Sequence, residues 1–263
     1  MDQTLSKQLQ KINLQEQKFL NTSDNGLLKG TISPLVDKVE NIIPDKLKDT
    51  LNSAFYKGFQ LVFDKGTAFI EKTYNKEKIE LEHDINNYAI DRKINKKHMK
   101  KLDWHSKQTK LVNTSFSVLE GSVLGLLGVG LPDIPIFISV LVKTVYEIAL
   151  SYGYQYDSTE EKAYILLLIC TAISKGDTQL KYNEQLEALS AKIDNSLQEN
   201  IDMTKIMKDT SSQLAEALLT AKFIQGIPVV GAVGGVVNYS IVNRVASFSR
   251  LKYKKRYLLK KSS

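Results

Sequence analysis

The chain has 263 residues, of which 43% are hydrophobic and 25% charged, with a formal charge of +7 and one cysteine. That is enough chain for a sizeable core, and the composition is that of a folded globular protein rather than a disordered one. The single Cys170 excludes an internal disulfide and a cysteine-built zinc knuckle; inside "AYILLLICTAI" it suits a small core residue.

Residues 1–30 read as a polar N-terminal helical extension. They carry no basic segment followed by an apolar run, so a secretory signal is not expected and the cytoplasm is the default compartment. Ser33-Pro34 reads as an N-cap and first helical position. Pro44 stops that helix and starts the next, in which Leu47, Leu51, Ala54, Phe55, Leu61, Val62 and Phe69 recur at mostly helical spacing. Gly58 and Gly66 interrupt this helix, and glycine there marks close helix approach or a break. Residues 76–110 read as polar and helical, with a basic cluster of Arg92, Lys93, Lys96, Lys97, Lys100 and Lys101 spread over much of the circumference, as on a solvated face.

The centre is apolar. Residues 117–154 read as two helices joined at "GVGLPDIP", with Asp133 as N-cap and Gly153 closing the second arm. Ser158 and Glu161 form a capping box ahead of a helix that is apolar on nearly all sides and therefore buried. Two amphipathic helices follow, about 178–199 and 203–224. Ile224 to Val242 has no charge, but Gln225, Asn238, Tyr239 and Ser240 keep its hydropathy low for a membrane span. The central stretch is cut by Asp133, Lys143 and Glu147. The expected fold is all-α, a compact multi-helix domain over 31–243 with a central apolar helical hairpin and a basic C-terminal helix.

Residues 244–263 read as a basic tail. Arg244, Arg250, Lys252, Lys254, Lys255, Arg256, Lys260 and Lys261 lie there with no acid, while the rest of the chain holds 28 basic and 29 acidic groups. A near-neutral body with a cationic tail points to an acidic partner, lipid or nucleic acid. These eight residues are the expected membrane contacts, with Tyr253, Tyr257, Leu258 and Leu259 as anchors among them.

The common catalytic signatures are missing. No Walker phosphate loop occurs, "GAVGGVV" lacks the dinucleotide spacing, and "GSVLG" places its serine one position early for a nucleophile elbow. His83, His98 and His105 form no zinc motif, so neither metal nor cofactor is expected. The polar-site candidates are Asp133, Lys143, Glu147 and Asn238, polar groups set in apolar sequence.

The central and C-terminal segments together resemble the EcsC family. The residues that carry this are Asp133, Ile148-Ala149, Tyr152-Gly153-Tyr154, the "DSTEE" link, and then Pro228, Gly231, Ala232, Gly235 and Asn238. The resemblance covers about 34–255. It implies a setting at the cytoplasmic membrane face, since the namesake is encoded beside an ABC transporter tied to protein secretion and processing in Gram-positive bacteria. It implies no catalytic residue. Three functions follow as expectations. The first is a non-enzymatic accessory protein, peripheral to the membrane through its basic C-terminus and linked to ABC transport or secretion. The second is a membrane-proximal hydrolase acting on lipid or peptide around Asp133, Lys143 and Glu147. The third is a nucleic-acid-binding protein using both basic clusters.

Overall fold

The computed structural model describes residues 3–21, 43–107, 133–224 and 235–262. These are helical with no strand among them. In chain order the helices are α1 (Gln3–Asn21), α2 (Asp45–Leu61), α3 (Thr67–Glu71), α4 (Lys76–Arg92), α5 (Lys96–Lys107), α6 (Asp133–Ser151), α7 (Thr159–Ile173), α8 (Gly176–Asp194), α9 (Met203–Ile224) and α10 (Gly235–Ser262). A π turn at Val62–Gly66 joins α2 to α3. The Ser33-Pro34 cap, the first arm of the apolar hairpin and the segment 225–234 lie outside the described residues.

Five helices close a ring by successive packing: α6 on α2, α2 on α9, α9 on α7, α7 on α10, and α10 back on α6. The others dress this ring. α8 covers α7, α1 covers α10, and the α4–α5 pair covers α6. The core follows from composition. Every residue of α7 from Ala163 to Ile173 is buried, as its unbroken apolar run requires. Cys170 is among them, its thiol pushed up to about 12 by burial. α6 is the one helix among the described residues long and apolar enough to cross a membrane, and 94% of that window is buried inside the protein. Lys143 and Glu147 do not interrupt it, contrary to the sequence expectation.

Local chemistry sets several boundaries. The Ser158 hydroxyl accepts from the Glu161 amide at 3.1 Å, as expected of a cap. The reciprocal half of the capping box does not form, because the Glu161 carboxylate turns into the core. Gly153 ends α6 with φ +80°, Gly153 N donates to Leu150 O and Tyr154 N to Ala149 O. This is a Schellman stop. It also leaves no room for a side chain, since a Cβ at Gly153 would lie 2.4 Å from His83 Nε2. Gly58 is a point of close approach: a Cβ there would meet Ile138 Cδ1 at 2.4 Å, where α2 crosses α6.

Two corrections concern helix phase. The polar stretch expected as one helix breaks at Lys93–Asn95, and Asn95 Oδ1 caps α5 by accepting from His98 N at 2.9 Å. The break resets the phase. Lys96, Lys97, Lys100, Lys101 and Lys107 then share one exposed face of α5 instead of encircling a helix. The second correction is the tail. Residues 244–262 are the continuation of α10, packed against α1, α6, α7 and α8, with the expected anchor Leu259 and Lys260 left exposed near its end. Tyr253, Tyr257 and Leu258, expected as lipid anchors, are core residues at 0–4% exposure.

Candidate functional site

The expected polar pair sits where the π turn, α3 and α6 meet. The π turn and short α3 bring Thr73 and Tyr74 over α6. Lys143 Nζ donates to Thr73 O at 3.2 Å and lies 3.8 Å from Glu147 Oε1, with the Tyr74 ring above it. The side chains of Lys143 and Glu147 are only 8% and 11% exposed. Burial pushes the Glu147 carboxyl up to about 7, against a smaller opposing pull from the Lys143 ammonium. Burial also lowers Lys143, and Glu147 partly restores it.

A chain of phenols extends this site. Tyr156 OH donates to Glu71 Oε1 at 2.6 Å and lies 2.5 Å from Tyr74 OH. The Tyr156 hydrogen bond is the main reason the Glu71 carboxyl falls below its ordinary value, and Lys76 at 3.2 Å adds to it. Tyr146 stacks flat on Tyr156, centroids 3.7 Å apart, with its hydroxyl buried. A carboxyl titrating near neutrality is suited to proton transfer. The structure thus brings Lys143 and Glu147 together and adds Glu71, Tyr74 and Tyr156, which their positions far apart in sequence concealed. The side chains of Asp133 and Asn238 lie outside the described residues.

Glu147 gives a pH prediction. Its folded pKa of about 7 exceeds its ordinary 4.5, so the stability it contributes is fully present below pH 4.5. That contribution is lost as pH rises through 7. Glu147→Gln is expected to flatten the dependence of Tm on pH between 5 and 8, removing roughly 1–3 kcal/mol of pH-linked stability. An unchanged slope would show that Glu147 ionises normally.

The second network is built by α10. Arg256 is 3% exposed and donates from Nη1 to Glu161 Oε1 at 2.7 Å and from Nη2 to Asp194 Oδ1 at 2.7 Å. Its guanidinium lies over the rings of Tyr154 and Tyr164, at 4.2 and 4.5 Å. Burial opposes its charge, but the acids around it carry its pKa above the usual value. Lys252 bridges Glu16 of α1 and Glu187 of α8, and Lys255 reaches the same two acids at 2.8 and 3.1 Å. Lys254 pairs with Asp103 at 2.6 Å, and Lys261 with Asp91. Arg244 donates to Ala172 O and stacks on Phe19, and burial lowers its pKa to about 10. Arg250 bonds Ser247 Oγ at 3.3 Å. Lys260 is exposed. Seven of the eight cations expected at the membrane therefore have partners within the protein, Lys261 at its surface.

The "YGYQY" link after α6 ties these parts together. Tyr152 OH donates to Asp103 on α5, the Tyr154 ring backs Arg256 on α10, and Tyr156 holds Glu71 on α3. Among the described residues no group of three or more His, Cys, Asp or Glu could hold a metal ion.

The fold is an all-α ring closed by a cationic C-terminal helix, with a tyrosine-rich link between α6 and α7. A match to the EcsC protein family spans residues 6–258, and the chain belongs to that family. It is also similar to a Bacillus subtilis (strain 168) protein described as "Uncharacterized protein YdbA", with 27% identity over 161 residues. That match covers 56% of this chain and 55% of the relative, so the chain spans about half the relative's length. No solved structure matches the chain.

Proposed function

We propose that this EcsC-family protein is a non-enzymatic accessory protein that works at an anionic membrane surface, on the cytoplasmic face, beside an ABC transporter or another protein of the membrane. The observation that carries this reading is where the positive charge lies once the interior is paired. The cations of α10 draw in acids from α1, α4, α5, α7 and α8. Eight cations of α10 meet six acids, so about +5 of the net +7 falls to the rest of the chain, where many lysines are exposed. A protein with a surplus of exposed cations gathers at acidic surfaces, at about 1 kcal/mol per Lys near anionic lipid.

The expected result is co-sedimentation with vesicles containing phosphatidylglycerol, weakened by salt, and none with phosphatidylcholine alone. No pelleting with either vesicle would refute the reading. The hydrolase reading has one observation in its favour, a carboxyl near neutral pKa beside Lys143. Lipid or peptide hydrolysis that is abolished by Glu147→Gln would move the assignment there.

A further inference from the structure

The α4–α5 pair is an antiparallel hairpin that turns at Lys93–Asn95, with His105 Nδ1 2.8 Å from Glu82 across it. Its inner side is ordinary: Asn86 and Ile90 of α4 and Met99, Leu102 and Ser106 of α5 are buried. The outer side is not. On α4, Leu81, Ile85 and Tyr88 are 60%, 58% and 61% exposed. At about 100° per residue they fall within an arc of roughly 60°. On α5 the chain's single tryptophan, Trp104, is 54% exposed. Lys97, Lys100, Lys101 and Lys107 stand three, four or seven residues from it and, with Lys96, share its face within about 140°.

None of these five lysines makes an ion pair among the described residues. The Ile85 edge of the α4 stripe turns toward α5, and the Lys97 and Lys101 edge of α5 turns toward α4. Of the acids on the outside of α4, Glu77, Asp84 and Asp91 lie on its far flank, where Asp91 already holds Lys261, and Glu82 on the near flank holds His105. The stripe and the lysine face are thus one surface.

We propose that the outer face of the α4–α5 hairpin is the lipid-contacting element, lying flat on an anionic bilayer with Trp104, Leu81, Ile85 and Tyr88 at the headgroup level and the α5 lysines over the phosphates. This rests on the membrane-surface reading above and names the surface that performs it. Two properties select a bilayer over a nucleic acid. Exposed aliphatic side chains gain nothing from a phosphate backbone but are stabilised at the acyl boundary. Tryptophan and tyrosine favour the same boundary, where an apolar ring and a polar tip are both satisfied.

Trp104 reports directly, because all tryptophan emission comes from it. The test titrates the full chain with phosphatidylglycerol–phosphatidylcholine vesicles and follows emission and pelleting together. The expected result is a blue shift of Trp104, quenching by lipids brominated on their acyl chains, and binding weakened about 30-fold by Lys97→Gln with Lys101→Gln, equivalent to about 2 kcal/mol. Absence of pelleting overturns both this inference and the membrane-surface reading. Pelleting with unshifted, unquenched Trp104 overturns this inference alone. Binding to duplex oligonucleotides through the same lysines, without vesicle binding, also overturns it. The wild-type emission keeps the test independent of how the variants fold.

Discussion

Removing residues 244–263 is expected to unfold the protein, not merely to release it from a surface. The deletion takes Val245, Phe248, Tyr253, Tyr257 and Leu258 out of the core, each at 4% exposure or less. A fully buried side chain of that size contributes about 1.5–3 kcal/mol, so the loss rivals the whole stability of a typical domain, about 5–15 kcal/mol. It also strands acids. Glu16 and Glu161 are 6% and 4% exposed, and their cations are all on α10. Circular dichroism and urea titration of the truncated chain should show no cooperative transition. A soluble fragment with wild-type cooperativity would mean that α10 is dispensable to the fold. Such a truncation, natural as it looks from the charge distribution, is a poor probe of lipid binding.

Arg256→Ala is expected to be the most damaging single substitution on that helix. The cost comes less from lost attraction than from what remains. Glu161 would keep only the Tyr253 hydroxyl at 2.8 Å, a carboxylate inside the core with no counter-charge. Breaking one side of such a pair costs about 3–5 kcal/mol. The stacking on Tyr154 and Tyr164 is lost as well. The double variant Arg256→Met with Glu161→Leu should be more stable than Arg256→Ala alone, since it removes the stranded charge along with its partner. Urea midpoints of the parent, the single and the double variant measure this. A loss below about 1 kcal/mol for Arg256→Ala would place the pair in effective contact with water.

These two results concern the feature that sequence reading placed least well. The boundaries set by local chemistry were legible. Pro44 precedes α2, Ser158 caps α7, Gly153 stops α6, and α9 runs over the residues its periodicity gave. Each depends on neighbours within a few positions. The partners of α10 do not. Arg256 meets acids 62 and 95 residues away, and Lys252 meets one 236 residues away. Counting charge along the chain registers the sign of a residue but not its opposite number, so an interior helix that collects acids from five others resembles a free tail.

The candidate surfaces divide in the same way. Lys143 and Glu147 stood out because they are charged within an apolar helix, and the structure confirms their proximity. Tyr74 and Tyr156 were hidden because the fold, not the sequence, makes them neighbours across 82 positions. The α5 face depended on one missed cap. Without the break at Asn95 the lysines appear to wind around a single helix; with it they align beside Trp104. Leu81, Ile85 and Tyr88 carry core-like spacing, and only burial shows that Asn86 and Ile90 face inward instead.

If the proposed lipid contact is right, vesicle binding depends on the lysines of α5 and not on those at the C-terminus. Co-sedimentation with phosphatidylglycerol vesicles of two paired variants, Lys97→Gln with Lys101→Gln and Lys260→Gln with Lys261→Gln, tests it most directly. The first pair is expected to lower binding about 30-fold and the second to leave it near the wild-type level. Loss of binding in the second pair with retention in the first would contradict it.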